Sequence, residues 1–255
     1  MRMLFIGDIV GKCGCDFLAE KIGILKHKYN IDFTVVNGEN SAQGNGITRK
    51  SLEMLVSSGA DVITTGNHCF KRREAVDIFD EFDYLVRPAN YSQEVIGRGV
   101  AHLDFGAFKV AVINLQGVVY MEPLRNPFET IDEILEGIDT KNIFVDFHAE
   151  ATAEKKALGH YLAGRVTAVL GTHTHVQTSD EIILNDYTAY ITDVGMTGPE
   201  ISVLGVEIEA AVDKQRFHYP VMFKESANPC FLNGVVVEFD EKLGKSTKIE
   251  RVIMR

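Results

Sequence analysis

Residues 166–175 read VTAVLGTHTH, an apolar run that breaks at Gly171-Thr172 and delivers His173 and His175 with one residue between them. The same pattern recurs four more times. LFIG precedes Asp8, FTVVNG precedes the pair Glu39-Asn40, DVITTG precedes Asn67-His68, and NIFVDF precedes His148. Short apolar runs bounded by turn residues read as buried strands. Five strand ends therefore carry carboxylate, amide oxygen or imidazole. In α/β folds the carboxyl ends of neighbouring strands open onto one crevice, where groups far apart in sequence meet.

The rest of the chain supports that class. MLFIG, a helix over Asp16 to Lys28, FTVVN, a helix over Thr48 to Ser57, DVITT and a helix over Lys71 to Phe82 follow the βαβα order of a parallel sheet. VAHLDF and FKVAVINL flank Gly106-Ala107 as a hairpin. Helix returns at Phe128 to Gly137 and Thr152 to Ala163, alternating with strands at Asn142 to Phe147 and Val166 to Leu170. EIILN, TAYIT, a Gly-rich loop from Asp193 to Gly205, and the late strands NGVVVEFD and STKIERVIM complete the chain. Parallel units followed by late antiparallel strands predict two mixed sheets packed face to face with helices outside, a four-layer α-β-β-α sandwich. No repeat or linker divides residues 1–255, and one domain is expected.

Composition narrows the function. The apolar share of 45% and charged share of 24% are those of an ordinary globular protein. A net charge of −10 argues against a broad basic surface, so long nucleic acid is not an expected partner. A small anionic substrate stays compatible, because bound cations reverse the local field. Cys13, Cys15, Cys69 and Cys230 form neither C-x-x-C nor a disulfide framework, which suits a reducing compartment. The apolar start is too short for a signal peptide and no run reaches the ~20 residues of a membrane span, so a cytoplasmic protein with no membrane partner is expected.

Taken singly, each strand end has an ordinary explanation. H-x-H in a loop is more often solvated polar sequence than a metal site; Glu39-Asn40 could be a capping turn, Asn67 a left-handed turn residue, His68 a core histidine and Asp8 a helix cap. Together they outweigh those readings, because packing does not require five strand ends to present ligand types. Oxygen and imidazole donors without thiolate suit a hard or borderline metal, and the set is too large for one ion. In extended chain the two imidazoles of H-x-H lie on one side. GDIVGKC is not a phosphate loop: Gly7 to Gly11 is one residue short of Walker A, and Cys13 replaces the hydroxyl. Lys71, Arg72 and Arg73 read as a solvated helix start, and Cys69 as a buried inert thiol. His27, His102, His160 and His218 lack companion ligands.

At these residues the chain resembles the calcineurin-like metallophosphoesterases. GNH at Gly66 to His68 and GTHTH at Gly171 to His175 match that signature. The first motif, Asp8-Ile9-Val10, lacks the usual histidine, and Gly38-Glu39-Asn40 stands where Gly-Asp is usual. Those departures are themselves similar to the bacterial YmdB-like enzymes, the 2',3'-cyclic-nucleotide 2'-phosphodiesterases. IGDIVGK, VVNGENSAQGNGIT, DVITTGNH, VDFHAEAT, GTHTHVQT and TDVGMTGP all resemble blocks of that group, while Cys69-Phe70 replaces a common Thr-Trp.

The resemblance implies a binuclear centre, iron in many members, with manganese or zinc as alternatives. Asp8, Glu39, Asn40 and His175 would hold one ion; Glu39, Asn67, His148 and His173 the other, with Glu39 bridging. His68 matches the family's proton donor. The expected activity is hydrolysis of 2',3'-cyclic nucleoside monophosphates to 3'-nucleotides by a metal-held hydroxide, using two cations roughly 3.5 to 4 Å apart. The alternatives are another small phosphate ester as substrate, or a regulatory nucleotide-binding protein with little turnover. A homo-oligomer, dimer or tetramer, is the assembly the resemblance implies.

Overall fold

Alternate residues of the first strand face opposite ways: Met3 and Phe5 enter one apolar cluster, and Leu4 and Ile6 another. That period of two is what a strand buried on both faces requires. The computed structural model describes residues 1–255. In chain order the elements are β1 (Arg2–Ile6), β2 (Asp8–Ile9), α1 (Gly11–Tyr29), β3 (Phe33–Asn37), α2 (Arg49–Ser58), β4 (Val62–Thr64), α3 (Ala75–Glu81), β5 (Val100–Asp104), β6 (Lys109–Gln116), α4 (Pro127–Gly137), β7 (Asn142–His148), α5 (Thr152–Leu162), β8 (Ala168–Thr172), β9 (Ile182–Leu184), β10 (Thr188–Ile191), β11 (Met196–Pro199), α6 (Ile208–Phe217), β12 (Cys230–Asp240) and β13 (Lys245–Met254).

Two mixed sheets result. In the first, the order β2-β11-β12-β1-β3-β4 has β13 along the other side of β12. Here β1, β3 and β4 run parallel, and β12 and β13 are antiparallel additions. The second sheet runs β5-β6-β7-β8-β10-β9, with four parallel central strands and an antiparallel strand at each edge.

The core divides into three layers of side chains. Phe5, Phe33, Val35 and Val235 of the first sheet meet Val112, Phe144 and Leu170 of the second between the sheets. Phe33, Phe144 and Phe239 form an edge-to-face trio with centroids 5.2 to 6.2 Å apart. Each such buried ring stabilises by about 1.5 to 3 kcal/mol. Leu18, Ile22 and Leu55 of α1 and α2 cover the outer face of the first sheet, and Ile131, Leu158 and Leu162 of α4 and α5 that of the second. The four-layer expectation holds.

Several details differ from the sequence reading. Helix α3 begins at Ala75, not Lys71: residues 71–74 form bends and turns, where Arg72 reaches the carbonyls of Asn45 and Gln43. Helix α1 begins at Gly11, not Asp16, because Gly14 lets the first turn pass Thr197: a β-carbon there would lie 2.5 Å from its carbonyl oxygen. The loop expected from Asp193 to Gly205 contains β11, where pairing with β12 and β2 imposes extension on a segment with poor strand propensity. Helix α6 lies outside the elements expected above, although Glu209, Ala210, Ala211, Lys214 and Gln215 are good helix formers; of its residues only Ala211 is buried, so it shows little apolar stripe. No helix is long and apolar enough to cross a membrane.

Candidate metal centre

All eight strand-end residues meet at one edge of the sandwich. Asp8 opens β2, Glu39 and Asn40 lie in the turn after β3, and Asn67 and His68 follow β4. From the second sheet come His148, the last residue of β7, and His173 and His175, just past β8. The parallel registers Gln116↔His148 and His148↔Thr172 bring the second sheet's strand ends level.

Glu39 is 1% exposed and faces most of the set. Its Oε2 lies 3.2 Å from His148 Nε2 and accepts from the His68 backbone N–H at 3.1 Å. Its Oε1 accepts from Asn40 Nδ2 at 2.7 Å and lies 3.0 Å from His68 Nδ1. Around His148 Nε2 are Asn67 Oδ1 at 3.0 Å and His173 Nδ1 at 3.1 Å. On the other side, Asn40 Nδ2 is 3.3 Å from His175 Nε2, which is 3.9 Å from Asp8 Oδ1. Asp8, Glu39 and His148 alone place ligand atoms within 4.8 Å of one another.

The H-x-H segment is not extended. His173 has φ 104° and His175 φ 64°, so the two imidazoles reach the cluster through left-handed backbone. For a residue with a β-carbon this costs about 1 to 2 kcal/mol. Gly66 serves the ring opposite: a β-carbon there would lie 2.2 Å from His148.

A second set of partners lies outside what the strand-end pattern picks out. Thr172 Oγ1 lies 2.9 Å from His148 Nδ1 and donates to Asp146 Oδ1 at 2.6 Å. Asn37 Nδ2 donates to Asp146 Oδ2 at 2.9 Å, and Asn37 Oδ1 accepts from the Glu39 backbone N–H at 3.1 Å. His173 Nε2 lies 3.0 Å from Glu150 Oε2. Asp146 has a readable signal, an acid inside the apolar run NIFVDF on the same strand face as His148. Glu150 and Thr172 have none.

The acids and imidazoles shift one another strongly. Burial raises Asp8, while Glu39, which burial alone would raise, is held well below the usual range by His148 and His68. Burial disfavours charge on His148, but Glu39 and Asp8 overcome it and push the ring up to about 9. Burial and the neighbouring His148 push His173 down to about 3. Asp8 Oδ1 is fully buried with no hydrogen-bond partner. A buried orphan carboxylate oxygen among imidazoles is costly unless a cation occupies the space, so the residues fit divalent metal.

The remaining expectations resolve simply. His27, His102, His160 and His218 are exposed and outside the cluster. Cys69 is buried, and burial pushes its thiol up to about 12. The Arg72 guanidinium donates to the carbonyls of Asn45 and Gln43, pinning the turn after Glu39-Asn40. Above the cluster opens a cleft of about 400 Å³ lined by Glu39, Asn40, His68, His173, His175 and Phe223. A neighbouring cavity of about 690 Å³ shares Asn40, His175 and Phe223 with it.

Two face-to-face mixed sheets whose strand ends gather acids, amides and imidazoles define a hydrolase of the metallophosphoesterase class. The chain belongs to the YmdB-like family, whose model matches residues 4–252. It is 47% identical over 256 residues to the 2',3'-cyclic-nucleotide 2'-phosphodiesterase of Bacillus subtilis strain 168, covering 100% of this chain and 97% of that protein. The crystal structure of a hypothetical protein from Thermus thermophilus superposes with TM-score 0.94 at 36% identity, over 99% of this chain and 98% of that one. A novel phosphatase from Mycoplasma pneumoniae gives TM-score 0.94 at 35% identity, over 100% and 93% of the two chains.

Proposed function

We propose that the chain is a binuclear-metal phosphodiesterase that hydrolyses 2',3'-cyclic nucleoside monophosphates to 3'-nucleotides. The observation carrying this reading is the position of Glu39, whose two oxygens face different neighbours. Oε2 faces the His148 side, where Asn67 and His173 gather, and Oε1 faces Asn40, itself beside His175. In this reading Asp8, Glu39, Asn40 and His175 hold one ion, and Glu39, Asn67, His148 and His173 the other. Iron, manganese and zinc all suit this donor set. Asn40 would serve through Oδ1 after a half-turn of its amide, which now directs Nδ2 to Glu39. Such a metal pair, when bound, acidifies water and offsets the charge of the phosphoryl group.

The chain's own residues supply the rest. His68 is the most exposed of the four imidazoles in the cluster, with its Nδ1 held between Glu39 Oε1 and Asn40 Oδ1. The Glu39 contact, which a half-turn of the Asn40 amide leaves in place, fixes the ring at the cleft wall, where it gives a proton to the departing ribose 2'-oxygen as the P–O2' bond breaks and water adds to phosphorus. General-acid help of this kind is worth about 10² to 10⁴ in rate. The cleft volume of about 400 Å³ is of the size that takes a small ligand such as a mononucleotide.

The test is metal quantification on natively purified protein joined to product analysis with a 2',3'-cyclic nucleotide. About two metal equivalents per chain and a 3'-nucleotide product are expected. A 2'-nucleotide product, or turnover confined to simple aryl phosphates, refutes the assignment.

A further inference from the structure

Asp193 is fully buried two residues beyond β10 and has no part in the chemistry above. Its Oδ2 accepts from both the backbone N–H and the hydroxyl of Thr174, at 3.0 and 2.8 Å. The Lys155 ammonium, on α5 and itself 1% exposed, donates to the same oxygen at 2.7 Å. Oδ1 accepts from the Gly195 N–H at 2.9 Å. Thr174 separates the two cluster histidines, each of which has positive φ.

A buried ion pair is weak evidence for stability, since apolar side chains of similar volume often serve as well; it is better accounted for where it fixes a geometry. Here the geometry is plain. Two of the four donors to Asp193 come from the residue whose neighbours must both stay left-handed.

We propose that Asp193 is a positioning residue: by gripping Thr174 at backbone and side chain, it holds His173 and His175 in the strained turn that aims both rings at the cluster. Lys155 supplies the countercharge that a buried carboxylate needs. The inference rests on the reading of His173 and His175 as metal ligands.

The experiment is calorimetric titration of Mn²⁺ into chelator-stripped protein, beside circular dichroism and melting of the same metal-free samples. Asp193→Asn replaces one acceptor oxygen with a donor that faces the N–H groups of Thr174 or Gly195. It is expected to weaken Mn²⁺ binding about 10- to 100-fold while the metal-free protein stays folded. Thr174→Val, which deletes the hydroxyl, is expected to weaken it less, and Thr174→Ser to restore it. The double variant Asp193→Asn/Thr174→Val is expected to lose less than the product of the two single losses, because both act through one contact.

A merely structural pair would lower the melting temperature and leave Mn²⁺ affinity at the parental value, and that result overturns the proposal. If Asp193→Asn does not fold, equal affinities for the Val and Ser variants at position 174 overturn it as well. A parent protein that binds no Mn²⁺ refutes the ligand reading and this inference with it. A binding parent with unchanged variants refutes the positioning role alone.

Discussion

Asn37 on one sheet donates to Asp146 on the other at 2.9 Å, a bond that crosses the sandwich beside the histidine cluster. Its consequence reaches His148. Thr172 has one hydroxyl proton and gives it to Asp146 Oδ1, so its oxygen receives the Nδ1–H of His148. In the neutral ring that a bound cation would require, the Nε2 lone pair is then left for the side facing Glu39 and Asn67.

Asp146→Asn breaks that chain, because an amide NH₂ in place of one oxygen turns either Thr172 or Asn37 the wrong way. On the proposed reading of His148 as a ligand, metal affinity is expected to fall about 10- to 100-fold. Titration of Mn²⁺ into metal-free protein checks it; parental affinity would show that Thr172 holds the ring without help.

For His68→Ala the expectation is a separation of binding from turnover. Metal content stays near the parental value, while turnover of a 2',3'-cyclic nucleotide drops about 10² to 10⁴ fold. Elemental analysis and product assays on one preparation decide it, and loss of metal would make His68 a ligand.

Gly66→Ala inserts a β-carbon 2.2 Å from the His148 ring. The ring has to move, at a stability cost of about 1 to 3 kcal/mol from overpacking. Reduced metal occupancy together with a lower denaturant midpoint is expected. A variant that loads metal normally would mean that the strand ends shift to make room.

Asp180 gives a pH dependence outside the histidine cluster. Burial alone would raise its carboxyl, but Thr192, Thr178 and Lys156 surround it with donors and hold it at about 2. The folded value lies below the unfolded value near 3.9, so its stabilisation is complete above about pH 4 and is lost as pH falls through about 2. Unfolding of the parent and Asp180→Asn is expected to show a constant gap down to about pH 4 that narrows below it. A gap of the same size near pH 2 would contradict the assignment.

Much of this is legible in the chain. Apolar runs with alternating partners, such as Met3/Leu4 and Val35/Val36, announce strands buried on both faces. A polar residue at the end of such a run has few packing reasons to be there. That is what marks Asp8, Glu39, Asn67, His148 and His173. Asp193, which closes the run TAYIT, bears the same mark, but the sequence does not show that it grips Thr174; Thr172, Glu150 and Lys155 carry no mark, because their roles depend on neighbours distant in sequence, which no local period encodes. Strand β11 is hidden for the same reason: its extension comes from β12 and β2, not from its own Met-Thr-Gly-Pro.

By itself the sequence determined which side chains stand at strand ends and, through the period of two, which faces of the strands are apolar. Only the tertiary structure decided that the ends of two separate sheets lie level, that His173 and His175 reach the cluster through left-handed backbone, and that Asp193 grips the residue between them. Local patterns fix what a short segment does. Register between strands, and hydrogen bonds between residues far apart in the chain, exist only once the sheets have packed.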